Sequence, residues 1–185
     1  MNYPNNLKRD YKKNISHRNR GMDLECSINK SNEYYLSINR AVIYKKPTPI
    51  GLVDVKYCDN KKQINKAYFK CPSTLDYNGI YKGKYIEFEA KETISKTSFP
   101  LSNIHPHQLK HLKLIIEHGG IGFLILKMNN IIYLIKGEDL INFIDNNKRK
   151  SLPLKLLEEK AYVIKERINP SLDYLSIVDK IYFKE

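Results

Sequence analysis

Asp76, Glu89 and Lys91 are the side chains of this sequence whose types and spacing could do chemistry together. Glu89 and Lys91 stand two residues apart, and side chains alternate along an extended chain, so a strand would place both on one face. A hairpin spanning 74–93 would bring Asp76 beside Glu89 at a strand end. Two carboxylates that close repel each other unless a cation lies between them. Oxygen ligands of this kind favour Mg2+, which keeps waters and binds phosphate. A lysine on the same face could hold or deprotonate an attacking water, or stabilise the charge of a phosphorane. Together these groups are the minimal machinery for hydrolysing a phosphodiester. Glu87 and Glu92, on the same stretch, read as acids of an exposed strand face.

The elements that must position these residues are legible as periodicities. Over 22–36, Leu24, Ile28 and Tyr35 fall on one side of a 3.6-residue spiral and predict a helix, with Glu25 beside that face. A strand over 41–44 ends at the prolines Pro47 and Pro49. Two short β runs, 52–57 and 67–70, flank a polar basic loop at 59–66, so 50–72 reads as an excursion from the body. Residues 74–93 read as strand, turn, strand, with Asn78-Gly79 and Lys82-Gly83 as turn residues. In 85–91, Ile86, Phe88 and Ala90 face one way while Tyr85, Glu87, Glu89 and Lys91 face the other. A helix follows over 106–118, with Asn103 or His105 as its cap, Pro106 in its first turn and Gly119-Gly120 at its end. Strands at 121–128 and 131–135, joined at Asn129-Asn130, precede helices at 137–145 and within 170–183. This order predicts an α/β fold with a central mixed sheet flanked by helices.

Composition narrows the partners. Thirty-two Lys and Arg against 20 Asp and Glu give a net charge of +12, which attracts polyanions, nucleic acid first among them. A lysine-rich, AT-biased proteome would produce the same excess, so charge alone leaves the question open. The segment 1–20 reads as a basic flexible arm, in which Arg18 and Arg20 could follow a phosphate backbone or simply be solvated. The remainder, 21–185, reads as one domain. Cys26, Cys58 and Cys71 form neither a disulfide framework nor a zinc pattern and read as buried or half-buried thiols. No apolar run reaches membrane-spanning length and no signal-peptide stretch opens the chain, so the expectation is a cytoplasmic protein with no membrane partner. Phosphate-loop, dinucleotide, H-E-x-x-H and G-x-S-x-G motifs are absent. His107 and His111 share a helix face, but no acid or cysteine near them in sequence completes a zinc set.

Several longer runs carry a family likeness. Asn19-Arg20-Gly21-Met22-Asp23-Leu24-Glu25, the segment from Ala41 through Lys45-Lys46-Pro47-Thr48-Pro49, and Ser73-Thr74-Leu75-Asp76-Tyr77-Asn78-Gly79 resemble the RecU family of Holliday junction resolvases. So do Ile86-Glu87-Phe88-Glu89-Ala90-Lys91-Glu92-Thr93, Thr97-Ser98-Phe99-Pro100-Leu101 and His107-Gln108. The likeness runs from about Asn19 to Phe183. It implies a restriction-endonuclease-like PD-(D/E)xK core with a projecting β stalk at 50–72. It also implies a Mg2+-dependent (or Mn2+-dependent) endonuclease, a homodimer that nicks paired strands of four-way junction DNA symmetrically in homologous recombination and DNA repair. By resemblance, Thr74, Asp76, Glu89 and Gln108 match the metal site, Lys91 the transition-state lysine and Glu25 an acid of the first helix, which could support the site or be a simple surface acid. The stalk tip here offers Lys61, Lys62 and Lys66 for DNA. Recombinase and branch-migration proteins are the partners the family suggests. The competing readings are a DNA-binding or strand-annealing protein whose cleavage is weak or lost, and a restriction-type nuclease on the same core.

Overall fold

The computed structural model describes residues 20–58, 61–70 and 74–184. Arg18 and Cys71 lie outside them, as do the side chains of Arg20, Cys58 and Lys61. The main sheet has six strands in the order β1 (Val42–Lys45), β4 (Tyr77–Tyr81), β5 (Lys84–Thr93), β7 (Ile121–Met128), β8 (Ile131–Lys136) and β10 (Tyr162–Ile164). Strands β5 and β7 are parallel, and the other neighbours are antiparallel, so the sheet is mixed as expected. The parallel pair is joined through helix α2 (Pro106–Glu117), which packs on both strands.

β7 explains why β5 is central. Its residues are buried almost without interruption, the pattern of a strand covered on both faces. One face lies against helix α1 (Arg20–Ser37) and the C-terminal α5 (Tyr174–Val178). There Leu24, Ile28 and Tyr35 join Ile86, Phe88, Phe123, Tyr174 and Leu175 in one core. Phe88 stacks between Tyr77 and Phe123, with centroids 4.9 and 4.7 Å away. The opposite face lies against α2, α3 (Gly137–Asn146) and α4 (Leu154–Lys160), where Leu112, Leu124, Leu126, Leu140 and Leu157 make a second core. Alternation along β5 therefore sends Ile86 and Phe88 to the first core, and Glu87 and Glu89 toward α2.

Four expectations are corrected. Asn78-Gly79 is not a turn but lies inside β4, where a Cβ on Gly79 would sit 2.0 Å from the Val42 carbonyl oxygen. Its glycine serves the close approach of β1 and β4, while the turn is made by Lys82 and Gly83, both at positive φ. Residues 61–66 are not a loop: β2 (Ile50–Cys58) and β3 (Lys61–Phe69) form a ribbon of their own, outside the main sheet. Backbone pairing carries this polar stretch as a strand without any core to bury it. Cys26 is exposed, on the outer side of α1. Glu87 is fully buried, because β5 is central and α2 covers its polar face. The short pair β6 (Ser98–Pro100) and β9 (Ser151–Pro153), with α4 and β10, are elements too brief for periodicity to reveal. Among the described residues no helix is long and apolar enough to cross a membrane.

Candidate active site

The β4–β5 hairpin places the three predicted residues at its open end. Asp76 precedes β4, and its backbone N–H donates to Glu89 Oε2 at 3.1 Å. In return, the Ala90 N–H donates to Asp76 Oδ2 at 3.3 Å. These bonds prolong the register that pairs Tyr77 with Phe88 and hold the two carboxylates together. Lys91, on the same face of β5, donates to Glu89 Oε1. Gln108, buried in the first turn of α2, donates from Nε2 to Glu89 Oε1 at 2.8 Å and to the Thr74 carbonyl at 3.4 Å. Its Oε1 accepts from the His105 backbone N–H at 3.0 Å, which caps the helix. Residues far apart in sequence thus converge on one carboxylate, and Thr74, Asp76, Glu89, Lys91 and Gln108 stand together.

Glu89 is only 2% exposed. Burial, with the Asp76 charge beside it, pushes its carboxyl up to about 7, against the lowering effect of Lys91. The site carries more negative charge than its lysine offsets, which suits a small hard cation with oxygen donors. Among the described residues no three His, Cys, Asp or Glu cluster to hold a metal by themselves. Donors beyond the two carboxylates would have to come from Thr74, Gln108 or backbone carbonyls. Gln108 turns its nitrogen toward Glu89, so acting as an oxygen ligand would require its amide to exchange ends and release the cap of α2.

A second buried carboxylate lies beside the first, and its burial was hidden in the sequence. Glu87 Oε1 accepts from Lys46 Nζ, from Thr74 Oγ1 at 3.2 Å and from the Leu75 N–H at 3.4 Å. Its Oε2 accepts from Tyr85 at 2.8 Å, and His111 Nε2 lies 3.0 Å from both oxygens. Burial alone would raise this carboxyl, yet the bonds from Lys46, His111 and Tyr85 hold it below its ordinary value. The available signal was the run of apolar residues in β7: a fully buried neighbour implies that the polar face of β5 is covered too.

The other predicted residues are dispersed. Glu25 is partly exposed and paired with Lys45 at 2.5 Å. Lys62 and Lys66 are exposed on the ribbon, opposite Tyr57 and Asp54.

The family and sequence comparisons with known proteins agree. The family described as "RecU: Recombination protein U" matches residues 19–180. Relatives named Holliday junction resolvase RecU include that of Bacillus cytotoxicus, 48% identical over 92% of this chain and 88% of its own. That of Pediococcus pentosaceus is 52% identical over 88% of this chain and 84% of its own. That of Bacillus subtilis is 48% identical over 91% and 84%. Among solved structures, Hjc from Archaeoglobus fulgidus, a Holliday junction resolvase, aligns with a TM-score of 0.44 and 10% identity. The alignment covers 76% of this chain and 93% of that one.

Proposed function

The chain belongs to the RecU family, and we infer that it resolves Holliday junctions as a structure-selective endonuclease. The observation that carries this reading is the convergence of Asp76, Lys91 and Gln108 on Glu89, in a chain alike to RecU resolvases along nearly its whole length. We assign Asp76 and Glu89 as ligands of a divalent cation, Mg2+ by the hardness of the donors, bordered by Thr74 and Gln108. Such an ion, when bound, polarises a phosphoryl oxygen and lowers the pKa of a coordinated water.

The remaining work falls to the protein's own groups. Lys91 lies against Glu89, and in this reading its ammonium would offset the charge that develops on the phosphorus oxygens. Gln108 orients Glu89 by donating to it, and α2 is in turn held by the same amide. The ribbon β2–β3 offers Lys62 and Lys66 as point charges for phosphate, and Arg18, Arg20 and Lys61 are the other residues proposed to bind DNA. Symmetric nicking of one pair of strands calls for two sites related by the two-fold axis of the junction, which a homodimer would supply.

The test is cleavage of a mobile four-way junction and of linear duplex, with Mg2+ and with chelator. Symmetric nicks on the junction alone, dependent on Mg2+, are expected. Binding without cleavage under every divalent metal would replace this reading with that of a DNA-binding recombination protein.

A further inference from the structure

Among the described residues Glu87 is the most deeply buried charged side chain, and the proposed chemistry does not use it. It stands two residues before Glu89 on the same face of β5, and α2 answers both. Gln108 reaches Glu89 and His111 reaches Glu87; the two side chains lie one turn apart on the helix, and so side by side. The acids of the strand and the polar pair of the helix therefore form a double clamp.

Apart from Tyr85 on β5 itself, the other partners of Glu87 come from the two roots of the ribbon. Lys46 leads into β2, and Thr74 and Leu75 follow β3. Lys46 Nζ bridges Glu87 and Thr74 Oγ1, the latter at 2.5 Å, while its backbone N–H donates to the Asp76 carbonyl at 2.7 Å. Above this point the roots meet again by backbone, Lys70 N–H to the Pro49 carbonyl at 3.0 Å. The hydroxyl proton of Thr74 is committed to Glu87 and one of its lone pairs to Lys46. Its carbonyl is thereby left facing Gln108.

We propose that Glu87 is a positioning residue: it fastens both roots of the ribbon and helix α2 to β5, so that Thr74 and Gln108 stay registered on Glu89. The proposal rests on the assignment of that end of β5 as a divalent-metal site. It requires Glu87 to touch neither metal nor DNA. Its effect passes through the side chains that surround the site, whose loss typically costs about 10- to 100-fold in metal affinity or activity.

The experiment is Mn2+ titration of the full-length protein without DNA, followed by the spectrum of free Mn2+, for wild type, Glu87→Gln, His111→Ala and the double variant Lys46→Met/Glu87→Gln. Thermal melting and junction cleavage are measured on the same samples. The double variant removes both charges of a pair whose acid is fully buried and whose lysine is partly so, so a purely structural pair would be repaired by it. The expected result is a double variant that melts near wild type yet binds Mn2+ about 10- to 100-fold more weakly, with a parallel loss of cleavage. His111→Ala, at a partly exposed position, weakens Mn2+ binding in the same direction. Wild-type Mn2+ affinity in the folded double variant and in His111→Ala would overturn the proposal, and so would a wild-type protein that binds no Mn2+. A wild type that binds Mn2+ but cuts linear duplex as fast as junction would sink the junction reading and leave Glu87 in its role.

Discussion

The β4–β5 hairpin has an acid at each end, and the two are treated in opposite ways. At the turn end, Asp179 from the C-terminal segment accepts from Lys82 at 2.9 Å, from Tyr81 at 2.7 Å and from Arg40 at 3.0 Å. Burial would raise this carboxyl, but those three donors hold it below its ordinary value. Lys82 also lies over the Phe183 ring at 5.1 Å. At the open end, Glu89 has one lysine and a second carboxylate for company, and it is raised. A carboxylate with cations to spare is a lock that ties the C-terminus to the sheet. One whose charge is poorly offset costs stability in the free protein, a cost that the cation assigned to it under the proposed function would relieve. Strain of this electrostatic kind marks the functional end of the hairpin.

The comparison breaks most readily at the open end. Lys91→Ala, or Asp76→Asn, is expected to slow junction cleavage by at least about 100-fold, the loss typical of one preorganised charge-stabilising group. Junction affinity in a gel-shift assay should change little. Loss of binding in step with cleavage would mean that these residues hold DNA rather than act on it.

A pH titration sharpens the contrast. Because Glu89 is raised in the folded state, the native protein binds more protons than the unfolded chain between the usual carboxylate range and about 7. Across that window the metal-free protein loses stability as pH rises, and Mn2+ affinity grows as the competing proton leaves. Asp179 has the opposite sign. Its contribution is present above its unfolded pKa, near 3.9 for a typical aspartate, and is lost as pH falls below it. Glu89→Gln should abolish the first dependence and leave the second. An unchanged pH profile of Mn2+ binding in that variant would remove Glu89 from the ligand set.

Smaller effects belong to the lock. Asp179→Asn gives up charge-assisted hydrogen bonds worth about 2 kcal/mol, a drop of roughly 4–8 °C in the melting midpoint for a domain of this size. Cleavage per folded molecule should stay at the wild-type level. The smallest change is expected from Lys62→Ala on the ribbon, which should lower the salt dependence of junction binding by about one phosphate contact. A salt slope unchanged by it would place the DNA track elsewhere.

Much of this molecule is written in local pattern. The helices at 22–36 and 106–118, the β7–β8 hairpin and the alternation of β5 follow from side-chain periodicity and turn chemistry, which neighbours in sequence decide. Asp76, Glu89 and Lys91 could be singled out because a strand's two-residue repeat and one hairpin suffice to assemble them. Gln108 came only through family likeness, since its partner lies 19 positions away across a helix–strand packing that local pattern does not encode. Gly79 was misread because a glycine between strands looks the same whether it turns the chain or makes room for a neighbouring backbone.

Glu87 marks the boundary most clearly. Sequence alone placed it on the polar face of β5 beside Glu89 and read it as an exposed acid. Which of the two acids would be balanced by Lys46, His111 and Tyr85, and which left short of positive charge, depended on where α2 and the ribbon roots came to rest. Periodicity chooses the face a side chain points to. The charge it meets there is set by segments distant in sequence, and only tertiary packing brings them within hydrogen-bonding range.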